Sequence, residues 1–254
     1  MQENEYKTLY ELEDYYWWYV GRRRIIGNIL SLTMKKPSAL TVDYGCGTGS
    51  NLPLLRRFGP KVIGLDIAPQ SIDYCRKRGE DQVFLIQSPE DLKSRCGNGA
   101  DLITLLDVLE HIEDDAGMIR SLKSSLAPGG LLLLTVPAYQ FLWSGHDIAL
   151  HHKRRYTLSG IRRKLEAAGF RVEKATYAIS FMFPIIAFYR MANMIVRSTD
   201  ISDPKSSHVI LPPKLNRFII ALLYLEAWLC RYVKFPFGTS VIVAAKNPDI
   251  GTAS

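Results

Sequence analysis

The sequence predicts an α/β fold in which a parallel sheet is covered by helices on both faces. Through the middle of the chain, short apolar, β-branched runs alternate with stretches of helical length. Several of those runs, LLLLTV at 131–136 above all, are continuously apolar, as strands buried on both sides require. The chain has 254 residues, 47% of them hydrophobic and 22% charged, which excludes intrinsic disorder, collagen and low complexity. That length lies near the upper end for one core, so the expectation is a single domain over 1–254 with an elaboration.

The strands fall at 39–44, 61–66, 83–87, 101–106 and 131–136, followed by 171–179 and 240–246. Helices are expected between them at 50–58, 69–79 and 113–126, where Pro128-Gly129-Gly130 stops the helix and turns the chain into the next strand. A helix over 157–168 has Thr157 as its N-cap and Gly169 as its stop. Residues 39–179 with 239–247 thus form the core. Residues 1–38, with the cluster DYYWWYVGRRR, form an N-terminal helical cap. Residues 180–238 form an apolar insertion with helices at 181–197 and 215–234. Its uncharged runs, Tyr177 to Tyr189 and Phe218 to Leu225, are shorter than the roughly 20 residues of a spanning helix.

The helix over 215–233 places Leu215, Phe218, Ile219, Leu222, Leu225, Leu229 and Tyr232 at spacings of three and four. Ile220, Leu223, Tyr224 and Trp228 lie on its other face. An element apolar most of the way round can pack on the sheet, on a second copy of the chain, or over a lipid-like acceptor. It can also dock on an anionic membrane, with Arg190, Arg197, Lys214, Arg217, Arg231 and Lys234 at its rim.

The formal charge of +7 is unevenly spread. Residues 1–150 carry 16 Lys and Arg against 19 Asp and Glu, whereas residues 151–254 carry 16 against 6. The second half is therefore suited to an anionic partner. The cysteines Cys46, Cys75, Cys96 and Cys230 are scattered, without CxxC or paired-histidine spacing, so no metal site is expected and the setting is a reducing one. The acidic, polar N-terminus is no secretory signal. The expected location is cytoplasmic, with peripheral contact at the inner membrane face as the alternative.

The loop Asp43-Tyr44-Gly45-Cys46-Gly47-Thr48-Gly49 follows the first strand directly. Glycines there allow a sharp turn and bring backbone N–H groups against a ligand. The loop reads GxGxG rather than GxGxxG, and Asp43 stands where a pyrophosphate would be repelled. A cationic ligand carrying an amino group and a sulfonium fits better. Asp66 ends the second strand 17 residues after Gly49, where a carboxylate can accept both ribose hydroxyls of an adenosine.

DYGCGTG followed by LDIAP resembles the first motif and acidic loop of class I S-adenosylmethionine-dependent methyltransferases. The resemblance continues through ADLITLLDVLEHIEDD, PGGLLLLTVP and LEAAGFRV, covering residues 39–179. It is nearest to the ubiquinone-biosynthesis-like small-molecule branch. It implies a Rossmann-like seven-stranded sheet whose last strand, 240–246, is antiparallel, and S-adenosyl-L-methionine as cofactor. It also implies that Gly45, Cys46 and Gly47 pass the methionine part, with Asp43 near its amino end. Asp66 would hold the ribose and Ile67 the adenine. Ser88 stands where relatives place an acid near the adenine, and by the same resemblance Leu106 and Asp107 would line the cofactor. N-terminal helices of related enzymes reach the cofactor carboxylate, and Arg22 is the candidate here.

The connection 137–156, PAYQFLWSGHDIALHHKRRY, is long, polar and aromatic, and it leaves the carboxyl end of a strand, where ligands bind in such sheets. A subset of bacterial methyltransferases has a similar loop. If the acceptor is a hydroxyl, a histidine is the natural base. The candidates are His146, polarised by its neighbour Asp147, and His152; His111 and His151 are secondary. Lys153, Arg154 and Arg155 could grip an anionic acceptor, with Tyr156 and Trp143 beside it. Trp17 and Trp18 are read as packing residues.

These readings point to O-methylation of a small-molecule or lipid-linked acceptor, with the apolar insertion as a lid, membrane contact or homodimer interface. An RNA methyltransferase is the first alternative. Only the charge favours it, since no RNA-binding module or N/D-P-P-Y motif is present. A non-catalytic cofactor-binding scaffold is the second.

Overall fold

The computed structural model describes residues 3–88, 90–196 and 209–248. Two helices come first, α1 (Glu3–Leu12) and α2 (Trp17–Thr33). Five strands follow: β1 (Thr41–Tyr44), β2 (Val62–Asp66), β3 (Val83–Leu85), β4 (Ala100–Leu106) and β5 (Leu126–Pro137). They alternate with α3 (Leu52–Leu55), α4 (Pro69–Lys77), α5 (Glu90–Cys96) and α6 (Asp115–Ser125). The short α7 (Gly145–Ala149), α8 (Leu158–Ala167) and β6 (Arg171–Ala178) come next. The last elements are α9 (Phe183–Val196), α10 (Pro213–Leu229) and β7 (Ser240–Lys246). The expected rim residue Arg197 and the last residue of the helix expected over 181–197 lie outside the described residues.

The seven strands form one sheet in the order β3-β2-β1-β4-β5-β7-β6. β7 inserts antiparallel between β5 and β6, and the remaining pairs are parallel. One apolar layer packs α2, α3 and α10 on the sheet, with Ile25, Ile29, Leu55 and Leu223 fully buried. The other packs α5, α6 and α8 on the opposite face through Leu92, Leu122, Ile161 and Leu165. The order reverses at β1 and β4, so the carboxyl ends of those strands open the crevice in which ligands of such sheets bind.

Several boundaries differ from expectation. The helix expected over 50–58 is the single turn Leu52–Leu55, and α5 was not expected. Pro128-Gly129-Gly130 does not separate helix from strand. β5 already starts at Leu126, opposite Ala100, and the register shifts before Leu131. Gly129 there adopts φ +75°, its N–H donates to Asn247 O at 2.8 Å, and Asn247 N–H donates to Gly130 O at 2.9 Å. The turn residues therefore build a bulge held by the chain after β7. Thr157 caps α8 as expected, accepting from Gly160 N–H at 3.1 Å.

The outer helix α10 lies on α2 at a glycine. A Cβ on Gly21 would stand 2.2 Å from Leu223 Cδ1, so this approach requires the missing side chain. Asn28 donates to Ala227 O, and Asn216 exchanges hydrogen bonds with Trp17 N–H and Tyr15 O at 2.9 and 2.8 Å. Glu226, fully buried, accepts from the N–H groups of Ser180 and Phe181, which ties the start of α9 to α10.

Candidate active site

The cofactor loop is built at the ends of β1 and β2. Gly45 has φ +74°, and a Cβ there would stand 2.4 Å from Val108 Cγ2. Gly47 has φ +55°, and a Cβ there would meet nothing within 4 Å, so the loop faces open space at that point. Asp66 bridges two turns: Gly47 N–H donates to its Oδ2 and Ala68 N–H to its Oδ1, both at 2.9 Å. A carboxylate has about four acceptor sites, so Asp66 could also take ribose hydroxyls. Burial pushes the Asp66 carboxyl up, against the pull of those N–H groups. Beside it Ile67 is 69% exposed, an apolar platform at the loop edge. Cys46 is buried, its sulfur 3.9 Å from that of Cys75.

Asp43 accepts from Thr104 Oγ1 at 2.6 Å through Oδ1, while its Oδ2 is buried without a hydrogen-bond partner among the described residues. Burial raises its carboxyl to about 7, against the hydrogen bond of Thr104 and the charge of Arg22. A cationic group brought next to it would restore the carboxylate. Asp107, at φ +57°, accepts from Thr135 Oγ1 at 3.1 Å and forms an ion pair with Arg22. Arg22 is buried, with its guanidinium 4.7 Å from the ring centre of Trp18. Trp17 belongs to the core. Leu106 is buried at the end of β4.

The N–H groups of Gln87 and Ser88 both donate to Asp91 Oδ2, at 2.7 and 3.2 Å. Backbone donors at Ser88 are therefore occupied, and Asp91 supplies an acid after the third strand that the sequence reading did not mark. Glu13 was missed as well. It is buried, accepts from Thr48 Oγ1 and pairs with Arg78 at 3.2 Å, so the turn after α1 latches onto the glycine loop. Asp14 completes the latch through Arg78 at 2.7 Å.

The acceptor loop is organised around Asp147. Its pairing with His146 is corrected: Oδ1 faces His152 Nδ1 at 2.9 Å, and Arg155 donates from Nε and Nη2 at 2.7 and 3.1 Å. Ser144 N–H donates to Oδ2 at 2.9 Å, in a capping box at the start of α7. Adjacent side chains on a short helix diverge, whereas the chain after α7 returns and brings residue 152 back to residue 147. Although burial acts to raise it, the hydrogen bonds from His152 and Arg155 hold the Asp147 carboxyl well below its ordinary range. An ionised Asp147 only accepts, so His152 Nδ1–H donates to it, and in the neutral ring the lone pair sits on Nε2.

That Nε2 lies 3.9 Å from Glu110 Oε1, and the His152 ring meets His111 edge to face at 4.8 Å. Glu110 is fully buried, and neither carboxyl oxygen has a hydrogen-bond partner among the described residues. Burial raises it to about 8, and burial lowers His111 to about 4. One ligand atom from each of Glu110, His111 and His152 lies within 4.8 Å of the others, a donor set for a divalent cation that cysteine spacing alone did not suggest.

The cationic cluster is corrected too. Arg155 is turned inward, its side chain 4% exposed, and it also donates to Ala138 O at 3.0 Å. Arg154 donates to Glu113 O at 2.9 Å and pairs with Asp115 at 3.5 Å. The Tyr156 hydroxyl is buried and donates to Asp115 Oδ2 at 3.0 Å. These three residues hold the loop rather than open onto an acceptor. Lys153 lies 3.5 Å from Glu113, and Trp143 is half-buried at the preceding turn.

Residues 17–175 match the model of the methyltransferase domain family. The chain belongs to that family. With the sheet order and the glycine loop it is a class I, S-adenosylmethionine-dependent methyltransferase. It is 32% identical over 110 residues to a ubiquinone biosynthesis O-methyltransferase of Xanthomonas axonopodis, covering 42% of this chain and 46% of the relative. The match thus spans less than half of that relative's length. Among solved structures it is similar in fold to an S-adenosylmethionine-dependent methyltransferase of Archaeoglobus fulgidus (TM-score 0.55, 18% identity, 88% of this chain and 94% of that one). It is also similar to phosphoethanolamine N-methyltransferase 2 of Haemonchus contortus, solved with S-adenosyl-L-methionine (TM-score 0.53, 15% identity, 89% and 52%).

Proposed function

We propose that this methyltransferase methylates a hydroxyl of a small, amphipathic or lipid-linked acceptor, with His152 as the base. The observation that carries the reading is the buried Asp147–His152 pair, which holds Nδ1 on Asp147 and turns Nε2 towards Glu110 and His111. S-adenosylmethionine supplies a methyl group on a sulfonium. Asp43 would face its cationic amino end, and Asp66 would hold its ribose. In the transfer, the acceptor oxygen would displace sulfur from the methyl carbon, and His152 Nε2 would accept the hydroxyl proton. Positioning supplies much of the rate, and proton removal contributes about 10²–10⁴-fold. The Xanthomonas relative's name, an O-methyltransferase, supports oxygen as the methylated atom.

A second reading of the same cluster is favoured by Glu110, whose oxygens have no hydrogen-bond partner among the described residues. Glu110, His111 and His152 would hold a divalent cation, which would lower the pKa of a bound hydroxyl. The two readings separate by experiment. With tritiated S-adenosylmethionine and fractionated lipid and polar cell extracts, His152→Ala should abolish transfer in both. Chelation followed by desalting should leave transfer intact in the first and remove it, restorably by Zn²⁺ or Mg²⁺, in the second. Labelling of RNA instead of either extract would overturn the acceptor class.

A further inference from the structure

We propose that the outward faces of α9 and α10 dock on an anionic lipid bilayer. The two helices expose apolar side chains that globular surfaces seldom gather. On α9 Ile185 is 64% and Phe188 76% exposed, with Tyr189 and Met191 beside them. On and after α10, Phe218, Leu225, Trp228 and Tyr232 recur at spacings of three, four and seven, so they form one stripe opposite the face that Ile219, Leu223 and Ala227 bury on α2. No helix among the described residues is long and apolar enough to cross a membrane, so the stripe suits contact in the plane of a surface.

Charge selects the occupant. Among the described residues of 179–238, Glu226 is the one carboxylate, and it is fully buried under the start of α9. Lys214, Arg217, Arg231 and Lys234 are all exposed around the stripe. Among the described residues Arg231 bonds to the neutral Asn28 amide oxygen, at 3.0 Å, and to no carboxylate, so its charge is not cancelled there. Arg190, the charged residue of α9, turns inward to Leu142 O and to Asp147, leaving that helix an uncharged outer face. An apolar stripe rimmed by unneutralised cations is complementary to a leaflet with anionic headgroups. A second copy of the chain would set the same cations against one another.

The surface also adjoins the acceptor loop. Phe183 packs on Tyr139 at 5.6 Å and on Phe141 at 6.4 Å, and Phe237 packs on Phe183 at 5.4 Å. Phe141 and Phe237 remain partly exposed, so an apolar path joins α9 to the loop that carries His152. Docking needs this surface alone and neither a particular acceptor nor the base.

The test is flotation of the full chain with phosphatidylcholine vesicles, with and without one-third phosphatidylglycerol. The expected result is recovery with the anionic vesicles, weakened by salt, and little with the neutral ones. Replacing Lys214, Arg217, Arg231 and Lys234 together by Gln should lower partitioning by at least about ten-fold. Ile185→Ser with Phe188→Ser should remove it while S-adenosylmethionine affinity and melting temperature stay at wild-type values, which shows the variant folded. Absence of flotation with phosphatidylglycerol would overturn the proposal, as would equal flotation with neutral vesicles. A dimer in solution that the same double variant dissociates, without lipid binding, would assign the face to a second copy instead.

Discussion

Replacing Asp147 by Ala removes the acceptor for three groups at once. His152 Nδ1, both donating nitrogens of Arg155, and the Ser144 N–H lose their partner, and the Arg155 guanidinium is left buried and charged. Removing one member of a buried ion pair costs about 3–5 kcal/mol. For a protein of this size each kcal/mol corresponds to about 2–4 °C, so the melting temperature should fall by about 6–20 °C. The pH dependence follows from the depressed carboxyl. A folded-state value below the unfolded one contributes stability that is present above about pH 4 and lost as pH falls further. The wild-type advantage over the variant should therefore hold at neutral pH and shrink below pH 4. Differential scanning fluorimetry across pH measures both. A melting temperature within about 2 °C of wild type at pH 7 would refute the reading of Asp147 as the hub of the loop.

Three further outcomes follow from the same geometry. Asp66→Ala deletes the charged acceptor of two backbone N–H groups and of the ribose, and should weaken S-adenosylmethionine binding by about 10–150-fold; unchanged affinity by calorimetry would refute its role. Glu110→Gln should flatten the stability profile between about pH 4.5 and 8. A carboxyl raised by burial favours the folded state when protonated, and that contribution is lost as pH rises through the folded value, so the variant should be the more stable at pH 8. An unaltered profile would show that Glu110 is not held protonated. Gly21→Val should cost about 1–3 kcal/mol by forcing α2 from Leu223, read as a lowered urea midpoint. A neutral outcome would mean that α10 shifts freely on α2.

The sheet was legible because its signals are local: buried strands read as apolar runs, and the Gly45–Gly49 loop with Asp66 is spaced by the first βαβ unit itself. The acceptor loop was less so. Asp147 next to His146 suggests a pair, but the partner is set by where the chain returns, and that return is fixed by Lys153 N–H bonding to Glu110 O and His152 N–H to Asp147 O. One signal was available, since Ser144-x-x-Asp147 is a capping-box pattern that commits the aspartate to the backbone. Arg154 and Arg155 read as free cations because nothing local reveals that Asp115 and Asp147 meet them across the fold. Glu110 was missed for the same reason: its burial comes from the packing of distant segments, and no residue next to it in sequence signals that its oxygens have no hydrogen-bond partner among the described residues. Glu13 lies 35 residues before Thr48, a separation no spacing rule covers.

The most direct test of the central claim is mass spectrometry of lipid and polar extracts incubated with trideuteromethyl-labelled S-adenosylmethionine, comparing wild type with His152→Ala at saturating cofactor. The account predicts a labelled methyl ether in an amphipathic product, reduced by at least about 10²-fold in the variant while cofactor affinity is unchanged. Equal labelling by the variant, or label carried on nitrogen, would contradict it.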